Sequence, residues 1–208
     1  MSELKWHDEA TIHGIQVKAF FFDGKSAQEE TDILRRALPM LVDAPVKPVL
    51  VATEADRKNF YFENLVAQPD VVFTHGAGLI CVEYKFVGYR NHSRQKWRRE
   101  IRLVDMLQNI VASFAVAQSQ KKLTACVLRY HNVAYLLTPT AELVQELRRL
   151  APLGMDYIGD RRRIAARQLA DFACTRIEKM YPGAESARAA EGKVAHDQLL
   201  RRDDPVAP

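Results

Sequence analysis

The chain has 208 residues, of which 48% are hydrophobic and 27% are charged, so its composition is that of a globular protein with one sizeable core. Its formal net charge of +4 is too small to identify a class of partner by itself. No run approaches the roughly 18 apolar residues that cross a bilayer, and the opening "MSELKWHDEA" lacks the apolar segment of a secretory signal. We therefore expect a cytoplasmic protein that does not act in a membrane.

Three cysteines, Cys81, Cys126 and Cys174, lie far apart among apolar neighbours, and no Cys-x-x-Cys pair is present. Zinc sites and disulfide frameworks need closely spaced or paired cysteines. We expect reduced, buried thiols.

The first half of the chain predicts a strand, a helix and two shorter strands. Residues 15–22, "IQVKAFFF", are typical of a strand, and the "DGK" that follows is typical of a turn. A helix is predicted over residues 26–42, where Ser26 can cap it and apolar residues recur at helical spacing. Strands are predicted over 49–53 and over 60–62.

The second half predicts a hairpin and then alternating helices and strands. After the hairpin, the apolar pattern favours a long helix over residues 95–118, strands over 122–130 and 133–138, and helices over 140–150 and 161–181. Residues 182–208 carry scattered charge and little apolar mass, which is typical of a flexible tail. This order predicts an α/β fold class, with a single central mixed β-sheet flanked by helices in one domain over residues 1–181.

Charged residues stand at the open end of the predicted hairpin, in the stretch "PDVVFTHGAGLICVEYKF" at residues 69–86. With a tight turn in the middle of this stretch, symmetric antiparallel pairing sets Asp70 opposite Glu83. Side chains alternate along a strand, so Glu83 and Lys85 share one face. Directly opposite residues have Cβ atoms about 4.5–5.5 Å apart. A three-residue loop with a bulge would shift this register by one residue.

Two carboxylates about 5 Å apart repel each other by roughly 3 kcal/mol at an effective dielectric constant near 20. Protonation, a basic neighbour or a bound cation could offset that cost. Mg²⁺ suits the third case, because it binds one or two carboxylates and keeps waters and phosphate oxygens at its other positions. Lys85 would then stabilise the negative charge that develops on a phosphodiester, or orient the attacking water.

These residues resemble the signature of the PD-(D/E)XK nuclease superfamily, which includes restriction enzymes, repair nucleases and Holliday-junction resolvases. Pro69 and Asp70 match its "PD", and Glu83-Tyr84-Lys85 matches its "(D/E)XK" after a gap of twelve residues. The resemblance implies a restriction-endonuclease-like core over about residues 26–138. It also implies that Asp70 and Glu83 are ligands of Mg²⁺, for which Mn²⁺ substitutes, and that Lys85 is the catalytic base or charge stabiliser.

Two features of the family pattern are not fixed by the sequence. Many members add a glutamate from the first core helix; Glu30 is the candidate, with Glu63 as another, although a solvated acid is the simpler interpretation of Glu30. The RecB-like branch carries Gln-xxx-Tyr on the helix after the lysine, whereas Gln108 here is followed four residues later by Ala112. The branch is therefore left unassigned.

A basic stretch follows the catalytic strand, and phosphate backbones are bound mainly by such charges. We expect it to contact nucleic acid through Arg90, Arg94, Lys96, Arg98 and Arg99. A second cluster, "DRRRIAAR" at 160–167, is interpreted as a solvated face. Trp97 is expected to pack rather than stack on a base. The loop histidines His75, His92 and His131 are expected to have no catalytic role.

The sequence thus predicts a Mg²⁺-dependent endonuclease that hydrolyses phosphodiester bonds of DNA. The alternative is a catalytically inactive nuclease-fold protein that binds nucleic acid or another protein, and a third hypothesis is a protein–protein adaptor. Many nucleases of this kind pair two sites to cut two strands, so a homodimer is also compatible with the resemblance.

Overall fold

The computed structural model describes residues 6–21, 49–53, 58–75, 78–85, 91–122, 124–160 and 162–181. The predicted turn at 23–25, the predicted helix over 26–42 and the predicted tail over 182–208 lie outside these residues.

Ten strands and four helices are formed by the described residues. The strands are β1 (Trp6–Ile12), β2 (Ile15–Phe21), β3 (Val49–Thr53), β4 (Phe60–Phe62), β5 (Leu65–Ala67), β6 (Val71–His75), β7 (Gly78–Tyr84), β8 (Thr124–Tyr130), β9 (Val133–Pro139) and β10 (Ile164–Ala165). The helices are α1 (Trp97–Glu100), α2 (Leu103–Gln120), α3 (Ala141–Ile158) and α4 (Ala166–Met180).

Seven of the strands form one mixed sheet in the order β1-β2-β9-β8-β7-β6-β3. Strands β7 and β8 are parallel and are joined through α2, whereas the other neighbours in this sheet are antiparallel. The predicted α/β class with a central mixed sheet and flanking helices is therefore confirmed. The expectation of a single sheet is wrong, because β4, which matches the strand predicted over 60–62, pairs with the short and unpredicted strands β5 and β10 in a second, three-stranded sheet.

The two faces of the large sheet bury different side chains of each strand. Along β7, Leu79 and Cys81 pack with Val116 of α2, whereas Ile80 and Val82 belong to a cluster on the opposite face. All of these strand residues are almost fully buried. Burying one such aliphatic side chain contributes about 1.5–3 kcal/mol, so both faces hold β7 firmly in place.

Two of the three cysteines lie inside this sheet. Cys81 of β7 and Cys126 of β8 are directly opposite each other in the parallel register, and both are buried. Burial raises the pKa of the Cys126 thiol to about 11 and that of the Cys81 thiol further, although a hydrogen bond with Ser113 opposes both shifts. Cys174 is half-buried, and all three are free thiols, as predicted.

Strand β1 was not predicted. Its sequence, "WHDEATI", lacks a regular apolar alternation, and it lies at the edge of the sheet, where only β2 pairs with it. A two-residue turn joins β1 to β2, with His13 at φ 49° and Gly14 at φ 74°. Left-handed conformations at both central residues fit the twist of a hairpin, and a glycine at the second position is the usual signal.

The predicted helix over 95–118 is divided into α1 and α2. Ile101 and Arg102 are extended between the two helices, with ψ near 129° at both residues. Ile101 and Leu103 are both buried. In a continuous helix their side chains would point about 200° apart around the helix axis, so only one of them could face the core. The break allows both to be buried, and no glycine or proline marks it in the sequence.

Two other predicted helix boundaries are wrong. Helix α3 continues past residue 150 and through Pro152, because Ala151 and Met155 extend its buried face, and it ends at Gly159. Helix α4 begins at Ala166 rather than at residue 161, because the preceding Ile164–Ala165 pair is taken by the small sheet.

Among the helices that the structure describes, none is long and apolar enough to cross a membrane.

We expect Gly14→Ala to destabilise the protein more than Gly159→Ala. Both glycines have nearly the same left-handed φ, 74° and 73°, so the conformational cost of a side chain is matched. A Cβ at Gly14 would lie 3.0 Å from the ring of Tyr181, whereas a Cβ at Gly159 meets nothing within 4 Å. Urea denaturation should show an additional loss of about 1–3 kcal/mol for Gly14→Ala; equal losses would contradict this packing.

Candidate active site

The register of the β6–β7 hairpin brings the two predicted metal ligands together. Val72 pairs with Cys81, and Val71 with Val82, so continuing the antiparallel ladder by one residue sets Asp70 opposite Glu83, as the sequence predicts. The Asp70 carboxylate accepts a hydrogen bond through Oδ2 from the backbone N–H of Tyr84, at 2.6 Å. Asp70 is thereby attached to the same end of β7 that carries Glu83.

Glu83 and Lys85 form a close ion pair on the face of the sheet that α2 covers. Lys85 Nζ donates to Glu83 Oε1 at 2.7 Å, and the two side chains are only 13% and 4% exposed. The backbone N–H of Lys85 donates to the carbonyl of Arg129 at 2.8 Å, which continues the pairing of β7 with β8. The lysine therefore has a fixed backbone and a largely enclosed ammonium group.

Gln108 of α2 joins this ion pair. Its Nε2 donates to Glu83 Oε1, and its Oε1 accepts from Lys85 Nζ at 3.0 Å. The sequence did not identify Gln108 as a site residue, because Ala112 stands where the RecB-like pattern has tyrosine. The sequence feature that could have indicated Gln108 is a polar side chain beside the apolar stripe of a core helix.

Burial raises the pKa of the Glu83 carboxyl to about 7, and the nearby Asp70 charge adds to this rise. The hydrogen bond and the charge of Lys85 act in the opposite direction, and Asp105 contributes a further increase. The negative charge of Glu83 is therefore only partly compensated by the residues around it. A bound cation would supply the missing compensation.

Asp105, in the first turn of α2, forms a second polar cluster next to the first. Its carboxylate is almost fully buried and accepts hydrogen bonds from the Tyr130 hydroxyl and from Arg167 Nη1 of α4, the latter at 3.3 Å. Arg102 Nε lies 3.8 Å from the same carboxylate. None of these residues was predicted as part of the site, although the Arg102–Asp105 spacing of three residues is one that helices use for ion pairs.

Asp70 and Glu83 could hold a divalent cation as a pair of ligands, without a third protein ligand among the described residues. No group of three or more His, Cys, Asp or Glu side chains among the described residues could hold a metal ion. Glu83 Oε1 is already engaged by Lys85 and Gln108, whereas its Oε2 accepts no hydrogen bond from any residue that the structure describes. One or two carboxylates are enough for Mg²⁺, which keeps several waters, so Asp70 and Glu83 fit such an ion.

The third acid is not identified. Glu30 lies outside the described residues. Glu63 occupies the turn between β4 and β5 at φ 49°, and its exposed carboxylate accepts a hydrogen bond from Arg148 at 3.3 Å. No described contact connects it with the hairpin, and Asp105 is held by two arginines.

Only part of the predicted nucleic-acid-binding stretch lies among the described residues. Arg90 lies outside the described residues, whereas Arg94, Lys96, Arg98 and Arg99 are exposed in and just before α1. Arg98 donates to Asp8 of β1 at 2.9 Å, and the buried Trp97 indole donates to the same carboxylate at 3.1 Å. Trp97 thus packs, as predicted, and Arg98 helps to fasten α1 to the edge strand.

Two of the three loop histidines, His92 and His131, have side chains among the described residues. His92 is buried against the rings of Tyr130 and Tyr135, and its Nδ1 contacts the Tyr135 hydroxyl. Asn132 holds the His92 backbone by two hydrogen bonds, at 2.9 and 3.0 Å. His131 is half-buried in the β8–β9 turn, and the His75 side chain is outside the description.

Comparison of the chain with protein-family models, with curated proteins and with solved structures finds no match.

We expect Glu83 to make the stability of the metal-free protein fall as the pH rises from about 4.5 to about 7. In this window the folded carboxyl keeps a proton that the unfolded carboxyl, with a pKa of 4.5, has already lost. The folded state therefore binds more protons, and its stability decreases with pH, by about 3 kcal/mol over the whole shift.

The check is urea denaturation in EDTA across this pH range, with Glu83→Gln as the matched neutral variant. The variant should gain stability relative to the wild type as the pH rises. A constant difference between the two proteins would show that the carboxyl is not perturbed.

Proposed function

We propose that the protein is a metal-dependent nuclease with a PD-(D/E)XK-type site that hydrolyses phosphodiester bonds of DNA. One observation supports this proposal above the others: Asp70, Glu83 and Lys85 meet at the end of one hairpin, where Glu83 is buried and only partly compensated. A surface hairpin with an incidental acid–lysine pair would leave these groups in water, where such a pair contributes little.

The order of elements around the site also supports the proposal. The hairpin is followed by a helix and a strand, which is the order that the resemblance to the restriction-endonuclease-like core implies, and this strand, β8, is parallel to β7. The helix in that connection, α2, contributes Gln108 to the site. On the far side of β8, the strands β9, β2 and β1 extend the sheet, and helices α3 and α4 add to the helical layer.

Asp70 and Glu83 would hold Mg²⁺ through their carboxylates. A divalent cation at this position would polarise the phosphodiester and lower the pKa of a water molecule. Lys85 carries three N–H donors, of which two are directed at Glu83 and Gln108. No other described residue accepts from Lys85, so its third donor is available to orient the attacking water or to stabilise the charge that develops on the phosphate.

We expect the purified protein to cut supercoiled plasmid DNA in Mg²⁺ or Mn²⁺ and to be inactive in EDTA. Lys85→Ala should lower the rate at least a hundredfold, since removing one donor to a developing oxyanion typically costs that much. Lys18→Ala is the matched control, because Lys18 also pairs with a glutamate, Glu9, but on the exposed face of β2. An inactive wild type, or equal rates for Lys85→Ala and the control, would favour the catalytically inactive binding protein instead.

We expect Mn²⁺ binding to depend on both carboxylates. Isothermal titration calorimetry should detect uptake by the wild type and a loss of at least tenfold in affinity for Asp70→Asn and for Glu83→Gln, because each removes an anionic oxygen ligand. Glu63→Gln removes an exposed carboxylate away from the hairpin and should leave the affinity unchanged. Uptake that survives both site substitutions would exclude the pair as the metal site.

A further inference from the structure

We propose that Arg102 and Arg167, together called the arginine pair, bind a backbone phosphate of the DNA beside the scissile bond. The inference rests on the proposed nuclease function, because it identifies which cations of the chain hold the substrate next to Lys85. It assigns this role to Arg167, the last residue of the second basic cluster at 160–167, which the sequence alone presents as a solvated face, and to Arg102, just before α2.

The arginine pair is positioned by a buried carboxylate. Arg167 Nη1 lies 3.3 Å from Asp105 Oδ1, and Arg102 Nε lies 3.8 Å from Asp105 Oδ2. The Asp105 side chain is 2% exposed, whereas both arginine side chains are 43% exposed. The buried carboxylate therefore holds two guanidinium groups, both of which remain accessible to solvent.

The arginine pair is directly connected with the candidate catalytic lysine. Arg167 Nη1 donates to Gln108 Oε1 at 3.3 Å, and Lys85 Nζ donates to the same oxygen at 3.0 Å. Two cations thus share one amide oxygen, and Arg102 contacts the other oxygen of the Asp105 carboxylate that Arg167 contacts. A phosphodiester held at Lys85 would have its neighbouring phosphate close to these cations.

Donor capacity remains on Arg167 after its protein contacts are counted. Its Nε donates to Asp171 at 3.0 Å and its Nη1 to Asp105 and Gln108, whereas its Nη2 donates to no described residue. Asp171 is more than half exposed, and an exposed pair of this kind contributes at most about 1 kcal/mol. A phosphate, which arginine binds through two parallel N–H groups, can therefore replace Asp171.

The charges of this cluster favour an anion once Asp171 is displaced. Asp105 then faces two guanidinium groups alone, because among the described residues Asp171 is the one other acid in contact with the arginine pair, and it is exposed. Arg98 of the first basic stretch pairs with Asp8, and no described contact connects it with Lys85. Arg167, by contrast, shares the Gln108 oxygen with that lysine.

The test is metal-free DNA binding, which does not require catalysis. Fluorescence anisotropy of a fluorescein-labelled 30-base-pair duplex, in EDTA and over a series of salt concentrations, gives the dissociation constant and its salt slope for the full chain. Arg102→Gln and Arg167→Gln together should reduce the slope of log K against log salt by about 0.9, the value for one phosphate contact, and each single substitution should reduce it by part of that amount. The double variant should bind about tenfold more weakly or worse at low salt.

Arg176→Gln is the matched control, because Arg176 lies on the same helix about 14 Å further along its axis and contacts Phe172. It should leave the salt slope unchanged. Arg167→Lys keeps the charge and should recover most of the slope, which a loss of fold would not allow. If thermal unfolding shows that Arg167→Gln is not folded, Arg102→Gln decides the question. The contact of Arg102 with Asp105, at 3.8 Å, is longer than a hydrogen bond, so this substitution should have little effect on folding.

Each outcome separates this inference from the proposed function. Cleavage by a wild type whose arginine variants bind DNA like Arg176→Gln would overturn the inference and leave the nuclease intact. Loss of binding in the arginine variants of a protein that does not cleave would support DNA binding by the arginine pair, but would overturn the nuclease and with it the position beside a scissile bond. A wild type that binds no DNA at low salt would overturn the inference.

Discussion

The antiparallel pairing of β6 with β7 places Asp70 against Glu83, and the burial of Glu83 then determines what must surround it. A carboxylate that has lost its water needs donors and positive charge from the protein or from a ligand. Lys85 and Gln108 satisfy one oxygen of Glu83, and the pKa raised to about 7 shows that this compensation is incomplete. Helix α2 has to lie across the end of β7 for Gln108 to take part, so the site and the fold are specified together.

Local patterns in the sequence were sufficient to place the hairpin residues. Alternation of apolar residues and a tight turn predict which side chains of a two-stranded ribbon are opposite and which share a face, and the observed register is the one that sets Asp70 opposite Glu83 and not the one shifted by a bulge. Gln108 and Arg167 could not be placed in this way, because they reach the site through the packing of α2 and α4. Their positions depend on contacts between residues far apart in the chain, which no local pattern records.

The misplaced helix boundaries have a related cause. The chain breaks between Ile101 and Leu103 so that both side chains can be buried, and it continues through Pro152 because the apolar face on either side of it is buried against other elements. In both cases tertiary burial outweighs local propensity, which is worth fractions of a kcal/mol for most residues and about 3 kcal/mol for a proline inside a helix. The break before Leu103 also starts α2 at the point where Asp105 enters its first turn, beneath the arginine pair.

The buried thiols of Cys81 and Cys126 lie side by side on the face of the sheet that α2 covers, where Ser113 of α2 contacts both. A cysteine reacts with alkylating reagents as the thiolate, and burial raises both pKa values well above neutral pH. Alkylation of the fully buried Cys81 therefore requires α2 to move away from the sheet, whereas the half-buried Cys174 lies outside the sheet. Because Cys81 and Glu83 are on the same face of β7, the rate at which Cys81 is alkylated reports how often α2 uncovers the end of the strand that carries the carboxylate.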